Sequence, residues 1–249
     1  MILRRLASAI AEQNWFTVLL EVVIVVVGIY LGLQANEWSQ DREDRRAEIV
    51  YLERIAADLE ASLTQTTISQ EFQIRHAKYG ALVLRALSGC ELQPDQRDQF
   101  ASGIYLVAKH NAAAFVQASL QELLSAGRLT IIRNSSLRQM LVEMLQLYDD
   151  HLFYMSDVQL RVASHVNYID SVAPIIVGSA ISGSADVTWD MLDADFETLC
   201  DDRRFYTAMA ASLNYTWDST DSLISWNNRL SRAKSEVEAE LARLSGFAQ

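Results

Sequence analysis

The chain has 249 residues, 50% of them hydrophobic, with only two prolines, nine glycines and a formal net charge of −11. This is the make-up of a long-helix protein, large enough to bury one core of its own. Arg4, Arg5, Glu12 and Glu21 cancel within residues 1–35, so the excess charge lies beyond them and repels DNA, RNA and anionic lipid; nucleic acid is excluded as a partner.

Residues 1–14 put Ile2, Leu3, Leu6 and Ile10 on one side of a helix with Arg4 and Arg5 beside it, an amphipathic segment suited to a membrane surface. Residues 15–38 then read as one transmembrane helix. Phe16 to Leu33 is 18 residues with the single charge Glu21, although the uninterrupted apolar run from Val22 is only 12. The flanks decide between a span and a buried core helix. Trp15 and Trp38 lie 23 residues apart, roughly 35 Å of helix, which sets an indole at each membrane interface. Leu33-Gln34-Ala35 is a poor cleavage site, so the segment reads as an uncleaved anchor.

At about 100° per residue, Glu21, Val25, Gly28, Gly32 and Ala35 fall close to one line along that helix. Small residues let a second helix approach, and a carboxyl in hydrocarbon must turn toward protein or water. Helix–helix contact through this face is the favoured reading. The alternative is that glycine is simply frequent in membrane helices and that Glu21 reaches the headgroups.

Beyond Trp38 no Pro or Gly occurs until Gly80, while Ile49, Leu52, Ala56, Leu59 and Leu63 recur at steps of three and four. The span therefore continues as a stalk helix over 39–88, its seam packing inside its own bundle or, less commonly, against another copy. Ser88-Gly89 stops it, and Pro94 with Asp95 opens another helix. Ser119-x-x-Glu122 has the form of a capping box for a short helix ending at Gly127. After a connector over 128–133, Asn134 or Ser135 caps a long helix with Leu137, Leu141, Leu145, Tyr148, Leu152 and Met155 along a stripe, ending before Pro174.

Residues 174–190 form one long irregular loop, in which Ile175-Ile-Val and Ala180-Ile suit a small strand, a membrane-touching loop or a lid; a bare linker is the commoner case. Asp201 or Asp202 caps the last helix, 202–246, with Tyr206, Met209, Leu213, Leu223, Leu230, Val237, Leu241 and Leu244 in a row. Thr216, Thr220, Asn227 and Lys234 occupy the intervening positions, so its middle is expected to be wet. Such positions line a ligand pocket or, more often, meet solvent or a neighbour's polar edge. The fold class is all-α: one N-terminal transmembrane helix continuing into a stalk, then an antiparallel helical bundle over 39–249.

Cys90 and Cys200 belong to no metal-binding spacing; they are either two buried thiols or a disulfide, and a disulfide needs an oxidising compartment. His76, His110, His151 and His165 are scattered and form no metal-binding pair. Asp149, Asp150 and His151 point about 100° apart on a helix and read as a solvated face. With no nucleophile elbow or phosphate loop, no catalytic residue, cofactor or metal ligand is assigned, and no enzyme is expected.

The stretch Glu21-Val-Val-Ile-Val-Val-Val-Gly-Ile-Tyr-Leu-Gly-Leu-Gln-Ala-Asn-Glu-Trp38 is similar to the anchor of a bacterial family of single-pass membrane proteins known only as a domain of unknown function. The second stretch that carries the resemblance is Ser119-Leu-Gln-Glu-Leu-Leu-Ser-Ala-Gly-Arg-Leu-Thr-Ile-Ile-Arg-Asn-Ser-Ser-Leu-Arg138. The resemblance implies an amino-terminal anchor followed by a helical domain, and no activity.

Placed so, the chain is expected in a bacterial inner membrane with its amino end cytoplasmic and its helical domain periplasmic. Arg42, Arg45, Arg46 and Arg54 argue the other way, but long domains cross largely regardless of charge. The expected role is a structural or interaction subunit that oligomerises, or docks onto a larger membrane complex, through its membrane helix. The alternative is an envelope sensor or energy transducer with a ligand- or load-responsive bundle.

Overall fold

The computed structural model describes residues 15–107, 109–176 and 187–246, excluding the side chains of 15–18. These residues form six α-helices and no strand: α1 Trp15–Gly89, α2 Arg97–Leu106, α3 Ala118–Ser125, α4 Ser135–Val172, α5 Phe196–Asp201 and α6 Arg203–Gly246. Contacts divide the chain into residues 1–50 and 51–249.

In the first unit, α1 carries an 18-residue window with a mean hydropathy of 1.9, none of it buried. It is long and apolar enough to cross a membrane. Residues 1–14, with Arg4 and Arg5, and the Trp15 side chain lie outside the described residues.

The second unit is a bundle built on the rest of α1, α4 and α6. Asn134 meets Glu240, His151 meets Ser222 and Tyr168 meets Asp202, so α4 and α6 run antiparallel. Glu60 meets Lys234 and Gln70 meets Asn227, so α6 is antiparallel to α1 as well. The stalk seam packs inside its own chain in a shifted register: Leu52 and Leu59 are buried as expected, but Ile55 and Ser62 are buried in place of Ala56 and Leu63, which with Ile49 are only half-buried. At one end α2, α5 and the start of α6 close a core around Phe100, Ile104, Leu199, Phe205 and Met209. α2 and α1 approach closely there, for a Cβ on Gly103 would lie 2.6 Å from the Tyr79 carbonyl oxygen.

Several helix ends follow local chemistry. Asn134 Oδ1 accepts from Leu137 N to start α4, and Asp202 Oδ1 accepts from Arg204 N and Phe205 N to start α6. Gly127 takes φ +65° while Arg128 N reaches Leu123 O, the left-handed cap of α3. At the end of α1 the left-handed residue is Cys90, φ 47°, rather than Gly89.

Other expectations are corrected. Ser119 and Glu122 do not form a capping box: the N-cap of α3 is Gln117 with no side-chain bond, and Glu122 reaches across to Tyr51 and Arg54 of α1. The stripe on α4 is turned, for Leu152 is 42% exposed whereas His151 is 8% exposed. On α6, Phe205 is buried in place of Tyr206. Its middle is drier than expected: Thr216 and Thr220 are buried and return their hydroxyls to helix carbonyls, while Asn227 and Lys234 meet the polar edge of α1.

The irregular loop is pinned where it is described. Ile175 bridges Leu192, and Ser102 Oγ both donates to Val187 O and accepts from Val187 N. Ala180-Ile lies outside the described residues.

Candidate functional sites

The face predicted for helix contact is open among the described residues. Glu21, Val25, Gly28, Gly32 and Ala35 are all exposed, and a Cβ at Gly28 or Gly32 would meet nothing within 4 Å. Trp38 is exposed, with the Arg42 guanidinium 3.7 Å above its ring.

Cys90 and Cys200 are joined as a disulfide with their Cα atoms 5.6 Å apart. It ties the end of α1 to α5, 110 residues later.

A second constellation escaped the sequence analysis. Residues 109–117 run between α1, α4 and α6 with no secondary structure, so their backbone groups need partners from outside helix or sheet. Side chains supply them. From α1, Gln73 accepts from Asn111 N (3.4 Å), Thr66 from Ala114 N (3.0 Å) and Ser62 from Val116 N (2.8 Å), while Asp58 accepts from Ser119 N in the first turn of α3 (2.9 Å). From α4, His151 Nε2 accepts from Ala113 N at 3.1 Å, and Tyr148 donates to Ala113 O at 3.2 Å. From α6, Trp226 Nε1 donates to Ala114 O at 3.2 Å. Phe115 packs edge-on against both Tyr148 and Trp226. The legible signal was Asp58, Ser62 and Thr66 at four-residue steps, in phase with the apolar seam of the stalk.

Three histidines belong to this arrangement. A backbone N–H can only donate, so His151 Nε2 is unprotonated and its Nδ1–H donates to Ser222 Oγ at 3.0 Å. The solvated-face expectation for His151 is therefore overturned. The same tautomer keeps His151 from acting as a base toward Ser222. His110 Nδ1 lies 3.1 Å from Gln73 Nε2. His76 is completely buried, and both its ring nitrogens lack partners among the described residues. Burial, with Arg75, Lys109 and His110 nearby, pushes His76 down to about 4. Burial also pulls His110 and His151 below the ordinary range.

A groove of about 330 Å³ lies between α4 and α6, floored by Leu137, Met140 and Met144 with Arg229 and Arg232 beside it; Glu143 and Glu236 line it too. Among the described residues no group of three or more His, Cys, Asp or Glu is placed to hold a metal ion.

Comparison with curated proteins returns no match, and neither does comparison with solved structures. A family of unknown function, DUF6090, matches residues 21–172, from Glu21 to the end of α4. That is more than half of the chain, which therefore belongs to this family.

Proposed function

We propose that the chain is a non-enzymatic, membrane-anchored interaction subunit that assembles, with itself or with another membrane protein, through the Glu21–Gly28–Gly32 face of α1. The observation that carries this reading is the open surface at Gly28 and Gly32, which lies within an apolar helix, with nothing within 4 Å of either position's Cβ among the described residues. Lipid tails give no hydrophobic drive between helices, so close backbone approach over glycine and hydrogen bonding by Glu21 would supply the contact.

The membrane is read as a bacterial inner membrane with the helical domain on its periplasmic side. The Cys90–Cys200 disulfide supports that side, since such bonds persist in oxidising compartments.

The test is the mass of the native particle from mild detergent. Gly28→Ile and Gly32→Ile each break assembly, whereas Glu21→Gln, which keeps hydrogen-bonding capacity, is mild. Normal assembly of both isoleucine variants would remove this face as the interface. For sidedness, a membrane-impermeant thiol label reaches Ser235→Cys, at an exposed position, without lysis of the inner membrane. Labelling only after lysis reverses the orientation.

A sensor or transducer is the second reading, and the groove between α4 and α6 favours it. A small molecule seated there would raise the melting temperature of the chain in a ligand-concentration-dependent way. A metabolite panel with no shift would count against it.

A further inference from the structure

Among the groups that hold residues 109–117, two ring nitrogens accept only while uncharged, His110 Nδ1 from Gln73 and His151 Nε2 from Ala113. His151 Nε2 accepts the Ala113 N–H through a lone pair that protonation would occupy, leaving two donors facing each other. His76 is completely buried against the Phe72 ring, with Lys109 and His110 of the segment and Arg75 of α1 near enough to disfavour a charge on it. His110 is tied to Gln73, whose other amide atom accepts from Asn111 N.

The surrounding charges offer little compensation. Around His76 and His110 they are Arg75, Lys109 and, from α4, Asp170, whose carboxyl acts on Lys109. Around His151 the adjoining cleft presents Asp150, Tyr154 and, from α6, Ser222 and Arg229. No carboxylate is hydrogen-bonded to any of the three rings among the described residues.

We propose that residues 109–117 form an acid-released latch, in which proton uptake by His76, His110 and His151 frees the segment from α1, α4 and α6. Release uncovers the aromatic cluster of Phe115, Tyr148 and Trp226 and the polar stripe Ser62, Thr66 and Gln73. This device is independent of the membrane face and of how the chain assembles.

The experiment is hydrogen–deuterium exchange of the full chain in detergent, corrected for the intrinsic effect of pH. A group at about 4 when buried and 6.5 when wet makes opening roughly 25-fold more frequent at about pH 5 than at about pH 7.5, from His76 alone. Peptides over 109–117 should show at least that rise, while the far end of α6 around Val237 stays protected. The double variant His76→Leu, His151→Gln keeps an acceptor for Ala113 and a donor for Ser222 but removes two titrating rings; it should lose most of the response. Unchanged protection of the wild-type segment at the lower pH overturns the latch, and so does a double variant that opens as the wild type does. The wild-type measurement decides by itself if the double variant fails to fold.

Discussion

Replacing Gly103 by alanine tests how tightly α2 is seated on α1. The new Cβ would stand 2.6 Å from Tyr79 O, 2.8 Å from Tyr79 C and 2.7 Å from Val83 Cγ2. Two of these atoms are backbone in the middle of a long helix, and they cannot swing aside as a side-chain tip can. Restoring ordinary contact needs a separation of about 0.7 Å, a gap that forfeits between a quarter and half of each dispersion well across the interface. The residues that lose those contacts include Phe100, Ala101 and Ile104, all essentially buried.

Overpacking of this kind costs about 1–3 kcal/mol, and alanine in mid-helix returns up to about 1 kcal/mol through backbone entropy. At a contact this short the upper half applies, so the net loss is about 2 kcal/mol. Gly80→Ala is the control. Its Cβ would meet Leu213 Cδ1 at 3.0 Å and Val107 Cγ2 at 3.1 Å, both side-chain ends that can yield, so its stability stays within about 0.5 kcal/mol of the parent. Urea melts of the full chain in one detergent, read as midpoints with the slope held constant, measure both. Equal midpoints for the two variants would refute the close approach.

Thr66→Val removes the acceptor for Ala114 N while leaving the bond from Trp226 to Ala114 O, and should lower stability by about 1–3 kcal/mol in the same melts. Cys200→Ser opens a loop of 110 residues; the chain-entropy relation puts the loss near 4–5 kcal/mol, seen as a lower melting temperature that reductant also produces in the parent. Stability also depends on pH through His76. Its folded-state value, about 4, lies below the unfolded 6.5, so the unfolded chain binds the proton first. The contribution is complete above about pH 6.5 and drains away toward pH 4, by about 3 kcal/mol in all. His76→Leu should therefore flatten the acid limb of a stability–pH curve; an unchanged limb would exclude His76 as its source.

What the chain discloses residue by residue is uneven, for physical reasons. Helix ends were legible because capping is local: Asn134, Asp202 and Gly127 act within a few residues of themselves. The extent of α1 was legible because nothing from Trp38 to Gly80 could break it. Ser119 and Glu122 misled because the same spacing serves a cap or a reach to a neighbouring helix, and only the presence of Tyr51 and Arg54 decides.

His151 misled for a related reason. A flanking pair of aspartates marks a solvated turn until the next residue is found supporting the backbone of a segment 38 residues away. The whole stretch 109–117 was invisible as a feature, since its regularity lies in the side chains of other elements rather than in itself. The row of Glu21, Val25, Gly28, Gly32 and Ala35 is a pattern of the sequence on which the described residues place no neighbour at Gly28 or Gly32.

The bond between Cys90 and Cys200 turns the middle of the molecule into a ring. A ring cut once stays in one piece. A protease that severs the chain anywhere between those cysteines therefore leaves α6 still fastened to α1, and a denaturing gel run without reductant shows a full-length band. Two fragments appear only when the sulfurs are reduced. A polypeptide built in this way survives its first nick without shedding its carboxyl-terminal helix, and the second cut inside the ring is the one that removes material.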